Sequence, residues 1–81
     1  MQKLLQDVHI GDNLKLLRLK KGMSQTDISV QFDLHGRVMS RATYAHIEQG
    51  IRNIYISDLI LLKEILDVSF DDIFHGLSSA G

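Results

Sequence analysis

Cysteine is absent from this 81-residue chain, and so is proline. Without cysteine there is no disulfide framework and no cysteine-based zinc site, and a cytoplasmic protein fits best. Without proline no helix interior is interrupted, and with 44% apolar residues the composition suits a compact helical bundle. No apolar run approaches the roughly 20 residues that cross a bilayer. No basic stretch followed by an apolar block opens the chain, so neither a membrane span nor a signal peptide is expected. His9, His35, His46 and His75 lack metal-ligand spacing, and there is no glycine-rich phosphate loop. No metal, cofactor or catalytic activity is therefore expected. Asp71-Asp72 reads as acids at a helix N-terminus rather than as a catalytic pair.

An excess of one charge is also missing, since the formal net charge is −1. Taken alone, that argues against strong binding to a polyanion. The charges are nonetheless unevenly spread. From His35 to Ile56 the chain carries Arg37, Arg41 and Arg52 against Glu48; from Ser57 onward it carries Asp58, Glu64, Asp67, Asp71 and Asp72 against Lys63. Such asymmetry suits one face for a polyanion and another turned away. Ordinary surface scatter is the alternative.

What is present is a repeated helix-starting device. Ser24, Ser40, Ser57 and Ser69 each follow an apolar residue (Met23, Met39, Ile56, Val68) and precede another four positions on (Ile28, Tyr44, Leu61, Ile73). A serine hydroxyl accepts from the free N–H groups of the first turn, and the flanking apolar pair staples the entry. Asp27 and Asp72 add the acid of a capping box. Ahead of these four starts, Ile10, Leu14 and Leu17 make one apolar stripe of a first helix that ends at Lys20-Lys21-Gly22. The expectation is an all-α, compact five-helix domain.

Residues 1–9 read as a weakly helical N-terminal extension, 10–77 as the domain and 78–81 as a flexible tail. Leu16 and Leu19 lie off the first stripe. Either the extension folds back over them, with Gly11 as the break, or another subunit covers them.

The stretch Met39–Gly50 draws most attention. Ser40 caps it, Gly50 stops it, Tyr44 and Ile47 share a buried face, and Arg41, Ala42, Thr43 and His46 are left outward or at the open N-terminal end. A short helix with donors, a cation and no bulk on its free face has the properties needed to enter the major groove of DNA. Gln25, at the first position of the preceding helix, sits where a phosphate can dock; a solvated glutamine is the alternative.

Four stretches in this order, Ile10-Gly-Asp-Asn-Leu-Lys-Leu-Leu-Arg, Lys21-Gly-Met-Ser-Gln, Ser40-Arg-Ala-Thr-Tyr-Ala-His-Ile-Glu-Gln-Gly and Leu66-Asp-Val-Ser-Phe-Asp-Asp-Ile-Phe, resemble the lambda-repressor-like helix-turn-helix domains of Cro/C1 type. The similarity spans about residues 10–77. It implies a bacterial or phage-encoded transcription regulator, expected to repress, that binds double-stranded DNA as a homodimer and takes no small-molecule ligand. It implies that 10–21, 24–32 and 40–49 are helices 1, 2 and 3, with helix 3 in the groove. Gln25 then grips phosphate; Ser40, Arg41, Ala42 and His46 read bases or the adjoining backbone; Arg18 and Glu48 pair beneath them. That pairing also follows from patterning, since both lie at the margins of apolar faces where a charge needs a partner.

The chain departs from the family pattern between helices 2 and 3. A turn of three to four residues normally joins them, whereas Asp33–Met39 is longer by about five than the usual family alignment. His35, Gly36 and Arg37 in this insertion either approach the DNA backbone or form a solvated loop. Arg41 is expected to read guanine through its O6 and N7, with a plain phosphate contact as the alternative. Arg52 and Asn53 are expected phosphate contacts. Ile54, Tyr55, Ile56, Leu61 and Phe74 form either a dimer patch or the rest of the core. The rival function is a protein-interaction module on the same fold, such as an antirepressor, an antitoxin or an adaptor.

Overall fold

The computed structural model describes residues 10–77 and the backbone of Lys3–Leu4. Five helices follow in order: α1 (Gly11–Lys20), α2 (Gln25–Leu34), α3 (Arg41–Glu48), α4 (Ile56–Leu66) and α5 (Phe70–Ile73). Two short strands, β1 (Lys3–Leu4) and β2 (Ile54–Tyr55), pair antiparallel, with Lys3 opposite Tyr55 and Leu4 opposite Ile54. At Lys3–Leu4 the chain is thus extended rather than helical. The helical reading of the rest of 1–9 and the flexible reading of 78–81 fall outside the described residues. Leu16 and Leu19 remain 59% and 53% exposed, so the strand pairing takes β1 to β2 and not over them.

The serine caps form at three of the four places. Ser24, Ser40 and Ser69 accept from the N–H groups of Asp27, Thr43 and Asp72, and at Ser24 and Ser69 the acid returns a bond to the serine N–H. The fourth is a correction. Helix α4 begins at Ile56 with Tyr55 as its cap residue, and Ser57 lies inside the first turn. Ser57 is followed three residues later by Ile60, so it lacks the acid that locks the other two boxes.

Helix α2 takes up the first two residues of the lengthened turn, running to Leu34 rather than the expected Phe32. Its end is a Schellman motif: Gly36 N–H donates to Asp33 O and Arg37 N–H to Phe32 O, with Gly36 at φ 76°. Only a residue tolerant of that left-handed backbone reverses the chain so tightly. Ser29 Oγ then donates to Met39 O at 2.6 Å, tying the exit of the turn back to the middle of α2.

The core gathers Ile10, Leu14, Ile28, Phe32, Tyr44, Ile47, Leu62 and Ile73 from all five helices and their junctions. Ile54 and Leu61 are buried with them. Those two therefore complete the monomer core, leaving Tyr55, Ile56 and Phe74 exposed from the expected dimer patch. Asn13 closes the far end: its Nδ2 donates to Ile73 O and His75 O at 2.8 and 2.9 Å, holding the end of α5 against α1. Helix α1 does begin at Gly11, and the glycine also serves close packing there. It is buried against the main chain of Glu48, where an added Cβ would overlap the carbonyl. Among the described residues no helix is long and apolar enough to cross a membrane.

Candidate nucleic-acid interface

Helix α3 is held from below by charge. Arg18 in α1 meets Glu48 in a two-pronged pair, Nε to Oε2 at 2.7 Å and Nη2 to Oε1 at 3.1 Å, with both residues buried. The third prong, Nη1, donates to Met23 O at 2.9 Å, so the guanidinium also fixes the turn between α1 and α2. Burial alone would raise the Glu48 carboxyl, but the Arg18 guanidinium above all, then the neighbouring Tyr44 hydroxyl and the Gln25 amide, outweigh it and hold the group below its ordinary value. Arg18 is correspondingly raised by its bond to Glu48. The Tyr44 hydroxyl lies buried beside this pair, and among the described residues no partner meets hydrogen-bond geometry with it. Burial first, and then the nearby carboxylate, push its phenol far above the usual range, so Tyr44 stays neutral.

Above the ion pair the polar side chains form a relay to the surface. Gln25 Nε2 donates to Glu48 Oε1 at 3.1 Å, and Arg41 Nη1 donates to Gln25 Oε1 at 3.2 Å. The start of α2 and the start of α3 are joined this way, and Arg41 is presented from a fixed anchor.

The outward face of α3 carries Arg41, Ala42, His46 and Gln49, all exposed. No carboxylate stands on it, because Glu48, the one acid of the helix, is turned inward. At about 100° per residue these four occupy one sector. Gln25 flanks the sector on the Arg41 side. Thr43 and Ile47 flank it on the other, where they wall a groove of about 390 Å³ shared with Val38, Ile51, Arg52 and Asn53.

Each expected site residue has a place in this arrangement. Arg41, Ala42 and His46 lie on the open face, Gln25 at one flank, and Arg52 and Asn53 at the other. Thr43 is half-buried at the groove wall. The Ser40 hydroxyl is engaged inside the helix start, donating to Thr43 Oγ1 at 2.9 Å and accepting from Thr43 N at 3.1 Å. Arg37 is engaged within the fold. Its Nε donates to Asp58 Oδ1 at 2.6 Å and its Nη2 to Ser57 Oγ at 3.0 Å, so its guanidinium is anchored on α4. The two charges are 33% and 13% exposed at the side chain, and the pair clamps the lengthened turn to the first turn of α4. Asp58, Ser57 and Gly11 were not foreseen in these roles. Their partners are 20 or more residues away, and no local pattern signals such a contact. Among the described residues no group of His, Asp or Glu is placed to hold a metal.

The comparisons with known proteins agree with this geometry. No curated protein sequence matches the chain. Among solved structures, the restriction-modification controller protein C.Esp1396I, a tetramer in complex with its natural 35 base-pair operator, superposes with a TM-score of 0.65 and 30% identity, over 82% of this chain and 80% of that one. The family model described as helix-turn-helix matches residues 14–73, most of the chain. With α2 and α3 packed as the helix pair and α3 carrying the open face, the chain belongs to the Cro/C1-type helix-turn-helix family of DNA-binding transcription regulators.

Proposed function

We propose that the protein is a sequence-specific repressor that binds operator DNA as a homodimer, with α3 in the major groove. The observation that carries this reading is the acid-free outer face of α3, which sets Arg41, Ala42 and His46 between two polar flanks. The major groove is about 12 Å wide and runs between two phosphate strands. A helix in it needs base-reading groups along its centre and phosphate-gripping groups on both sides. Gln25 supplies one side, and Arg52 with Asn53 supplies the other.

So few cations per chain give weak binding by one copy, since counterion release scales with the phosphates neutralised. Two copies double the contacts and read half-sites about 34 Å apart. The exposed apolar residues Tyr55, Ile56, Ile60, Phe70 and Phe74 on α4, α5 and β2 supply surface for that association. The similar controller protein is itself an oligomer on its operator. Repression needs nothing beyond occupancy: a bound dimer excludes other proteins from the same base pairs.

The test is selection from a random duplex pool, followed by the mass of the complex and the salt dependence of binding. The reading expects an inverted-repeat sequence, two chains per duplex and affinity that falls as salt rises. A reporter promoter carrying the selected site should be silenced. A chain that retains no duplex at low salt is a protein-interaction module instead.

A further inference from the structure

We propose that Val38, at the tip of the lengthened turn, reads a thymine by packing on its 5-methyl group. The inference rests on the DNA-binding reading above and adds a specificity-determining residue to it. Val38 is 93% exposed, more than any other large apolar residue described. A valine so bare is ordinarily a mobile loop residue of no consequence. Here the backbone on both sides is fastened. Arg37 before it donates its N–H to Phe32 O and its side chain to Asp58 and Ser57. Met39 after it is buried, with its carbonyl held by Ser29. The valine is therefore presented in a fixed place without support from its own burial.

That place is next to the reading surface. Val38 lies two residues before Ser40, the cap of α3, and lines the same groove as Thr43, Ile51, Arg52 and Asn53. It stands on the Thr43 side at the N-terminal end of α3, the end that meets base edges in this kind of docking. A branched, donor-free side chain offers nothing to a phosphate or to a polar base edge. The apolar group exposed in the major groove is the thymine methyl. Losing a contact of one methyl corresponds to about fourfold in affinity.

The experiment uses the full chain and the duplex selected from the random pool, with each thymine replaced in turn by uracil, which removes only the methyl. The wild-type protein should lose about fourfold at one thymine per half-site. Val38→Ala should bind the thymine duplex about fourfold more weakly and no longer distinguish thymine from uracil there, while its response at every other thymine is unchanged. Its thermal midpoint should match the wild type, because the side chain is not part of the core. The inference is overturned if Val38→Ala still discriminates that thymine. It is equally overturned if the variant weakens on all duplexes alike, which assigns the contact to deoxyribose, or if no uracil substitution affects the wild-type protein. In these cases the DNA-binding reading stands. A pool that yields no bound duplex overturns both.

Discussion

The main chain of Gly11 lies directly on the main chain of Glu48: a Cβ on the glycine would overlap the Glu48 carbonyl and stand 2.9 Å from its Cα. Helix α1 approaches α3 backbone to backbone, and the absence of a side chain sets the distance. Alanine ordinarily favours a helix by up to about 1 kcal/mol over glycine. Here overlap with rigid backbone, at about 1–3 kcal/mol or more, outweighs that gain. Gly11→Ala should lower the stability by roughly 2 kcal/mol in urea unfolding, whereas Lys15→Ala on the exposed side of α1 should shift it by less than about 0.5 kcal/mol.

One turn and more along the same contact, Arg18 and Glu48 form the buried pair. Removing one partner leaves an uncompensated charge away from water. Arg18→Met or Glu48→Leu alone should cost roughly 3–5 kcal/mol, while the double variant should recover most of the loss, because apolar packing then replaces both charges. A double-mutant cycle in urea gives the coupling directly. Additive losses would show that each side chain matters through packing alone.

The same carboxylate sets a pH dependence. In the folded protein Glu48 titrates below its ordinary value of 4.5. Its ionised form therefore contributes stability that is fully present above that value and is lost as pH falls through the lower folded value. Asp72, held down by the Ser69 N–H in the second capping box, acts in the same direction. The urea midpoint should be flat near neutrality and decline below about pH 4.5. Glu48→Gln should lower the plateau and flatten the decline, leaving the slope from Asp72.

The local devices in this fold were legible in the sequence, and most of the long-range ones, the Arg18–Glu48 pair aside, were not. Ser24 with Asp27 and Ser69 with Asp72 specify helix starts within four residues, and both form. Ser57 has the same apolar neighbours without the acid, and it became an acceptor for Arg37 instead. Arg18 and Glu48 were legible because a charge at the edge of an apolar stripe needs a partner, and both stand at such edges. The pairing of Lys3–Leu4 with Ile54–Tyr55 spans some fifty residues, and two-residue strands leave no period to detect. Likewise Gly11 reads locally as a weak point in a helix, and only its distant neighbour Glu48 shows it to be a point of closest packing.

The insertion gives a test of where its charge is spent. Arg37 carries a cation near the reading surface, and the pairing with Asp58 commits that cation to the fold. Arg37→Ala should cost about 1 kcal/mol of stability, the scale of a partly exposed ion pair with hydrogen bonds. It should leave the slope of log affinity against log salt unchanged. Arg52→Ala should reduce the slope by about 0.9 if its guanidinium neutralises one phosphate. Equal changes in slope for the two variants would place Arg37 on the DNA as well.

Arg41 and Gln25 separate reading from gripping. In the free protein Arg41 Nη1 rests on Gln25 Oε1 at 3.2 Å, an exposed neutral-acceptor contact that a guanine edge can replace with two bonds. Arg41→Ala should therefore remove roughly 1–3 kcal/mol of discrimination at one base pair per half-site and leave preference elsewhere intact. Gln25→Ala removes the proposed phosphate anchor and the support under Arg41 together, so it should weaken every duplex and blur the Arg41 position at the same time. Affinities for duplexes varied one base pair at a time distinguish the outcomes. A uniform loss for Arg41→Ala across all of them would reduce Arg41 to a backbone contact and pass the central reading role to His46, which shares the exposed outer face with Gln49.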